Sequence, residues 1–181
     1  MTSQTGPSGR RGGGGIAFLL AQIGAHAAQR FAERIAGLDL TPPQAGLLRA
    51  IATQPGRSQQ VVATQLGVPP SRFVHLVDAL EQRGLVRRQR NETDRRLYAL
   101  HLTDEGGELM AKLHAVGAAH EEDICAGLTT DQRHALRVAL QHIATRQGLT
   151  PGVHPGYRRL NPATKRPGRN RHAPDEPAAH T

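Results

Sequence analysis

The stretch from Ser58 to Leu102 restricts the possible folds of this 181-residue chain more than any other part of it. It reads as a short helix, a second helix and two extended segments that meet at a polar tip over 91–94. In the second helix apolar side chains recur at i, i+3, i+4 and i+7, which is the spacing of one helix face. These residues are Phe73, Leu76, Val77 and Leu80. The spacing predicts a helix that packs by this face and leaves the opposite face exposed.

The opposite face of this helix carries small polar and charged side chains. They are Ser71, His75, Asp78 and Gln82, with Arg72 on the flank. A helix that packs by one face and presents such groups on the other suits the major groove of DNA. Because Asp78 would repel phosphate, it needs a cationic partner, and an arginine of the following hairpin, first of all Arg96, is the candidate.

Five arginines lie in the extended segments around the polar tip. They are Arg87, Arg88, Arg90, Arg95 and Arg96. Over residues 70–102 seven arginines outnumber four acids, and such a cationic surface favours a polyanion. The whole segment is therefore predicted to be a helix-turn-helix followed by a basic β-hairpin wing.

Amphipathic helices are predicted on both sides of this unit. The first runs over 16–36, and the next begins where Thr41 can cap and Gln44 can return a bond to the cap residue. Two more begin near Thr103 and near Thr129. The apolar residues expected on the inward faces of the helices after the first are Leu47, Leu48, Ile51, Val61, Val62, Leu66, Leu109, Leu113, Val116, Ile124, Leu136, Leu140 and Ile143.

Composition excludes several classes of protein. One cysteine rules out an internal disulfide framework, and no apolar run reaches the roughly 18 residues of a membrane span. The glycine-rich start does not resemble a signal or transit peptide, so a cytoplasmic location is expected. Of the net charge of +8, residues 1–15 carry +2 and residues 148–181 carry +4. Both ends lack apolar periodicity and are expected to be disordered.

The order of these elements, together with several short motifs, resembles the MarR family of winged-helix transcriptional regulators. The motifs are LDLTPPQAGLLRAI at 38–51, QLGV at 65–68, LVDALEQRGLVRRQ at 76–89, Asp94-Arg95-Arg96 at the wing and LHLTDEG at 100–106. The resemblance implies a mainly α fold with a small β-hairpin wing, a winged helix-turn-helix plus long dimerisation helices. The resemblance also implies three divisions: a disordered tail over 1–15, a domain over 16–147 and a disordered basic tail over 148–181. Within the domain, the DNA-binding core lies at about 40–102 and the dimerisation helices lie at 16–36 and 103–147.

The resemblance also implies partners and a mode of action. It implies a homodimer in which the first helix and the last two helices interlock, and in which each wing-helix unit reads half of a palindromic operator in double-stranded DNA. The expected function is a repressor, less often an activator, that responds to a small molecule. The first helix, the region of Leu47 and the long helix would line the pocket for this ligand. No residue identifies the ligand, and no cofactor is expected.

By the same resemblance, the arginine that enters the minor groove falls on Arg96, with Asp94 bracing it. The other interpretation is that Arg95 and Arg96 only solvate the hairpin tip. The residues expected to contact DNA are Pro70, Ser71, Arg72, His75, Arg90, Asp94, Arg95 and Arg96.

The chain departs from the family's pattern at two positions. Pro69 stands where serine or threonine is usual, and it leaves N–H groups at the helix start open to phosphate. His75 stands where arginine is common, which removes the commonest guanine contact. The operator sequence is therefore not predicted.

Other functions have weaker support in the sequence. A winged-helix module that binds protein instead of DNA would favour apolar or aromatic anchors over an arginine cluster. A redox-responsive regulator would use Cys125, but the acids at 121–123 disfavour its thiolate. A metal-responsive regulator would use His114, His120, Glu121 and Cys125, but the two histidines are six residues apart and do not share a helix face. No catalytic arrangement stands out, so an enzyme is not expected.

Overall fold

The computed structural model describes residues 14–90 and 98–154, and within them it contains six α-helices and two β-strands. In chain order these are α1 (Ile16–Ala36), α2 (Pro42–Thr53), α3 (Gln59–Leu66), α4 (Pro70–Gln82), β1 (Val86–Arg90), β2 (Tyr98–Leu102), α5 (Asp104–Ile124) and α6 (Thr130–Arg146). The strands form one antiparallel hairpin. The fold class predicted from the sequence is confirmed.

Several of the helix starts and ends predicted from the sequence are present in the structure. The Gln44 side chain accepts a hydrogen bond from the backbone N–H of Thr41 at 2.9 Å. At the start of α3 the Ser58 hydroxyl accepts one from the N–H of Val61 at 3.3 Å. The same helix ends at Gly67, whose φ of 65° is left-handed. These contacts satisfy backbone groups that a helix end leaves without an intrahelical partner.

The core lies between α2, α3, α4, the hairpin and the first half of α5. In α4, Phe73, Val77 and Leu80 are buried as predicted, while Leu76 is half-buried against them. The largest fully buried side chains are Phe73, Ile35, Leu47, Leu48, Ile51, Leu80, Leu100, Val62, Val77 and Val86. This core fixes the orientation of α4 and therefore of the face that α4 exposes.

One inward position of α3 was predicted wrongly. Val61 is 41% exposed, because the buried face of this short helix consists of Val62, Ala63 and Leu66. Two adjacent valines cannot both lie at the centre of a helix face, since successive residues are about 100° apart around the axis.

The hairpin is attached to the helical unit at its base. Val86 pairs with Leu102 at the base, and Arg90 pairs with Tyr98 toward the tip. An isolated antiparallel bridge joins Ser58 to Ala99, which connects the start of α3 to the second strand. Backbone pairing therefore attaches the base of the wing to the helical unit.

The start of α5 lies directly against the base of the wing. The Thr103 hydroxyl donates to the Gly84 carbonyl at 2.6 Å, and the Thr103 N–H donates to the Leu85 carbonyl at 3.2 Å. A Cβ placed on Gly106 would lie 2.0 Å from that same Leu85 oxygen. Glycine is therefore required here, because the backbones of α5 and the wing base approach more closely than any side chain allows.

The outer helices expose apolar side chains. In α1 these are Ile16, Phe18, Leu19, Leu20 and Ile23. No residue of α6 is buried, so the prediction that Leu136, Leu140 and Ile143 are buried is wrong for the single chain. Ion pairs such as Arg133–Glu122, at 2.7 Å, hold α6 on α5 through polar side chains, and Leu136, Leu140 and Ile143 are 38–43% exposed.

Candidate nucleic-acid interface

Four of the residues predicted to contact DNA lie exposed in the first two turns of α4. They are Pro70, Ser71, Arg72 and His75. Arg90 is exposed at the end of β1, on the side of the hairpin tip. Asp94, Arg95 and Arg96 lie outside the described residues, so their roles remain predictions.

The start of α4 has no capping side chain. Pro69 occupies the cap position with φ −56° and ψ 139°, and no side-chain hydrogen bond caps the helix there. Pro70 at the first helical position has no N–H to satisfy and already has a helical φ. The positive end of the α4 dipole therefore lies at the surface. The cap residue, Pro69, has no side-chain oxygen that could accept a hydrogen bond from the first N–H groups of the helix.

Arg88 on β1 joins the wing to α3 and α4. These two helices and the wing are called the reading unit below. Its guanidinium forms an ion pair with Asp78 at 2.5 Å and another with Glu81, and its Nε donates to the Gln59 side chain at 2.9 Å. The backbone N–H of Arg88 also donates to Glu81, at 3.1 Å. With 19% of its side chain exposed, Arg88 is more enclosed than either carboxylate partner, at 40% and 38%.

The prediction that a wing arginine neutralises Asp78 is met by Arg88, which pairs with the carboxylate in the structure. Arg96, the first candidate from the sequence, lies outside the described residues. The alternation of side chains along a strand explains the choice: Arg88 lies two residues after buried Val86 and shares its face, which is turned toward α4. This alternation is visible in the sequence and could have identified Arg88.

Two exposed residues near the interface were missed by the sequence reasoning. Val74 lies one position before His75 on the exposed side of α4, and Tyr98 lies at the start of β2. Together with parts of α3 they line a shallow cleft of about 380 Å³. The helical spacing of 71, 74, 75 and 78 could have revealed Val74, because these positions share one face.

A larger cavity lies away from this surface, between α1, α2 and α5. Its volume is about 670 Å³, within the range of small-molecule sites. The predicted helices line it, although on α2 the lining residues are Pro42, Ala45, Gly46 and Arg49, since Leu47 is turned into the core. The segment after α6 also contributes Gly152 and His154, although this segment was predicted to belong to the tail.

His120 lies at this cavity against Phe31, with the two rings 5.5 Å apart. Burial lowers the pKa of His120, and the charge of Arg34 lowers it further. The Nδ1 atom of His120 is buried and has no hydrogen-bond partner within the described part of the chain. A hydrogen bond from Arg34 at 2.7 Å lowers the pKa of the neighbouring Asp123 carboxyl.

Neither a metal-ion cluster nor a membrane-spanning helix is found among the described residues. Over 14–90 and 98–154 no group of three or more His, Cys, Asp or Glu side chains could hold a metal ion. Cys125 ends α5 as a half-buried free thiol. In the same ranges no helix has the length and apolar character needed to cross a membrane.

Comparison with known proteins agrees with this geometry. The profile of the MarR family matches residues 38–97. A transcriptional regulatory protein assigned to the hcr operon of Thauera aromatica is 32% identical over 139 residues, which cover 76% of this chain and 84% of that protein. The transcriptional repressor CouR, solved bound to a 23-mer DNA duplex, is 36% identical with a TM-score of 0.65, and the match covers 71% of this chain and 92% of that one.

A CouR protein from Rhodococcus jostii RHA1 was solved bound to p-coumaroyl-CoA. That structure matches with 31% identity and a TM-score of 0.61, covering 72% of this chain and 92% of that chain. The relatives are transcriptional regulators, which confirms the prediction that the protein is not an enzyme. The chain belongs to the MarR family of winged-helix transcriptional regulators.

Proposed function

We propose that the protein is a homodimeric, sequence-specific DNA-binding repressor that a small-molecule effector releases from its operator. The observation that carries DNA binding is the exposed face of α4 beside an arginine-rich strand. On that surface Arg88 neutralises Asp78 and Glu81, which would otherwise repel phosphate. The 36% identity to CouR, which was solved on a DNA duplex, supports the same use of the fold.

The contacts divide by chemistry. Ser71 and His75 would meet base edges in the major groove, and Val74 offers an apolar group to a thymine methyl. Pro70 and the start of α4 would lie over the phosphate backbone, as would Arg72 and Arg90. Arg96 would enter the adjacent minor groove, with Asp94 and Arg95 beside it at the wing tip.

The exposed apolar faces of α1 and α6 support a homodimer. Ile16 is 74% exposed and Leu136 is 43% exposed, and solvent-facing apolar surfaces of this extent on two long helices favour a partner. A second copy of the chain would bury both faces and would place two reading units on one DNA duplex. A two-fold dimer calls for a palindromic operator.

The domain division follows from this arrangement. The DNA-binding core at about 40–102 and the dimerisation helices at 16–36 and 103–147 make one functional domain over 16–147. The segment 148–154 joins it, because Val153 packs against the core. The basic ends over 1–15 and 155–181 add attraction to DNA that does not depend on sequence.

The effector site is the cavity between α1, α2 and α5. It lies beside the helices that would carry the dimer contacts, so an occupant can change the relative position of the two reading units. The structure of CouR with p-coumaroyl-CoA supports small-molecule control in a relative at 31% identity.

The function is tested by titrating the full-length protein against the DNA that flanks its own gene and against a scrambled duplex at the same salt concentration. We expect much tighter binding to the flanking DNA, and light scattering should give about twice the chain mass of 19.5 kDa. Equal affinity for both duplexes, or a stable monomer, would contradict the proposal. Failure to bind any DNA would favour the winged-helix module that binds protein.

A further inference from the structure

The shallow cleft of the reading unit lies where α3, α4 and β2 meet. Gln60 and Thr64 of α3 line it, as do Pro70 and Val74 at the start of α4, and Tyr98 forms the side that belongs to the wing. None of the described residues that line this cleft carries a charge. The cleft therefore suits an occupant that is partly apolar and that neutral hydrogen-bond donors can hold.

The strand register places Tyr98 on the face of the hairpin that is turned toward the helices. Leu100 pairs with Arg88, and Tyr98 pairs with Arg90, so these four residues lie on one face of the two strands. Leu100 is 1% exposed and belongs to the core, whereas Tyr98, two residues nearer the hairpin tip, is 43% exposed. The ring of Tyr98 therefore lies at the edge of the core, and packing within the chain leaves nearly half of this residue uncovered.

The hydroxyl of Tyr98 is the donor at this edge that the fold leaves unused. The neighbouring polar groups are engaged, since the Gln59 side chain accepts from Nε of Arg88 at 2.9 Å and the Thr64 hydroxyl donates to the Gln60 carbonyl at 2.9 Å. Over 14–90 and 98–154 the Tyr98 hydroxyl has no such bond. A phenol can donate to an anionic oxygen, so this group is available to a partner that brings one.

The sugar–phosphate backbone of DNA has the composition that the cleft favours. A nucleotide presents an apolar sugar edge beside an anionic phosphate, and proteins hold phosphates with neutral tyrosine, glutamine and threonine side chains as well as with arginine. Exposed Arg90 lies across the strand from Tyr98 and supplies positive charge. Asp78 and Glu81, the acids of α4, are neutralised by Arg88. The charges around the cleft therefore favour a phosphate.

We propose that the cleft receives the DNA backbone in each half-site, and that the Tyr98 hydroxyl donates a hydrogen bond to a phosphate oxygen while its ring lies against the adjoining deoxyribose. The inference rests on the proposed DNA-binding function and adds a contact from the inner face of the wing to the one proposed at its tip. A contact to the backbone fixes the register of the protein on DNA without reading a base. Because Tyr98 is neutral, the contact does not depend on the release of counterions.

The first test is Tyr98→Phe in the full-length protein, because this change keeps the ring and removes only the hydroxyl. It should weaken binding to operator and scrambled duplex alike by about tenfold per half-site, since a hydrogen bond to a charged group is lost. Its melting temperature should equal that of the parent. Thr53→Val is the control, because it removes a hydroxyl that donates to the Arg49 carbonyl at 2.8 Å and does not line the cleft. This control should bind both duplexes like the parent.

The salt dependence separates a neutral contact from a charged one. The slope of log affinity against log salt concentration should be the same for Tyr98→Phe as for the parent. Arg90→Gln is the charged comparison, and the loss of a cation that contacts phosphate should make this slope shallower by about one. A shallower slope for Tyr98→Phe itself would contradict a neutral contact at the cleft.

Phosphate ethylation interference locates the contact on DNA. In the parent protein, ethylation of the phosphate held by Tyr98 should block operator binding, at one position in each half-site. Tyr98→Phe should lose sensitivity at that position and keep it at the other phosphates. A role of Tyr98 in folding alone would not change the pattern at a single phosphate, so identical patterns would overturn the proposal.

A second variant tests the ring. Tyr98→Ala should weaken both duplexes further than Tyr98→Phe, because it also removes the surface that lies against the sugar. Equal losses in the two variants would refute this part of the contact. A loss confined to the operator would show that Tyr98 reads a base and would refute the backbone contact.

The parent protein separates this inference from the proposed function. A parent that binds the operator while Tyr98→Phe binds it equally well would refute the inference and leave the function in place. A parent that binds neither duplex would refute both.

Discussion

Replacing Arg88 by alanine should weaken DNA binding although Arg88 is predicted to touch no base. The substitution removes the guanidinium that neutralises Asp78 and Glu81 beside the proposed DNA-binding surface. At an effective dielectric constant of about 40 and a distance of about 8 Å, each uncompensated carboxylate repels one phosphate by about 1 kcal/mol. Two of them give about 2 kcal/mol per half-site, which is about a 30-fold loss of affinity.

The same change should lower the stability of the fold by a smaller amount. The carboxylates of Asp78 and Glu81 are 40% and 38% exposed, so each ion pair is discounted to about 0.5–1 kcal/mol. The hydrogen bond to Gln59 adds about 1 kcal/mol at most. The free energy of unfolding should therefore fall by about 1–3 kcal/mol, measured by urea denaturation.

Arg87→Ala provides the matched control for Arg88→Ala. Arg87 is exposed on the other face of the same strand, so its loss changes net charge equally and leaves both acids paired. Combining Arg88→Met with Asp78→Asn and Glu81→Gln should recover part of the lost affinity, because no unpaired charge remains. Arg87→Ala and Arg88→Ala should differ in stability and in their affinities for operator and scrambled duplex. Equal values would refute the proposed role of Arg88 in neutralising Asp78 and Glu81.

Three further predictions concern the wing tip, the basic C-terminal end and the cavity. Arg96→Ala should cost about 1–3 kcal/mol of operator affinity per half-site and change stability by no more than about 0.5 kcal/mol. Asp94→Ala should cost less operator affinity than Arg96→Ala. Binding equal to that of the parent protein in gel-shift titrations would show that the wing tip is dispensable. Deleting 155–181, which carries six cations and two acids, should leave the melting temperature nearly unchanged and flatten the salt dependence of non-specific binding; an unfolded truncated protein would refute this. Burial and the charge of Arg34 lower the pKa of His120, so the unfolded chain takes up this proton first and stability should fall as pH drops through the usual value of 6.5. His120→Gln should reduce that loss of melting temperature between about pH 7.5 and pH 5.5, and identical pH profiles would contradict the assignment.

Local signals explain why much of the reading unit could be predicted from sequence. The i, i+3, i+4, i+7 stripe of α4 depends only on helix geometry, and it gave the buried face correctly at Phe73, Val77 and Leu80. Caps such as Ser58 depend on a side chain and a backbone N–H that are only three residues apart. The exposed positions Ser71 and His75 then follow, because the buried side determines the opposite one.

Features that depend on distant parts of the chain were harder to predict. A wing arginine, first of all Arg96, was predicted to pair with Asp78. The structure shows Arg88 as a partner, which the alternation of side chains along the strand favours. Leu136 was expected to be buried, but its cover is not provided by the single chain. Val153 lies in a stretch without apolar periodicity, and only the three-dimensional path of the chain brings it to the core.

The contact between Gly106 and the Leu85 carbonyl makes α5 a lever arm. With 21 residues, α5 is about 30 Å long, and the wing base is fixed at its first turn. A rotation of about 5° about that end displaces the far end by about 2.5 Å, which is enough to make or break a direct contact. The residues of α5 that line the cavity, from Met110 to Glu121, lie along this same arm. A molecule bound in the cavity and a DNA duplex bound at the wing would act on the same helix, and each would change the affinity of the protein for the other by the same factor.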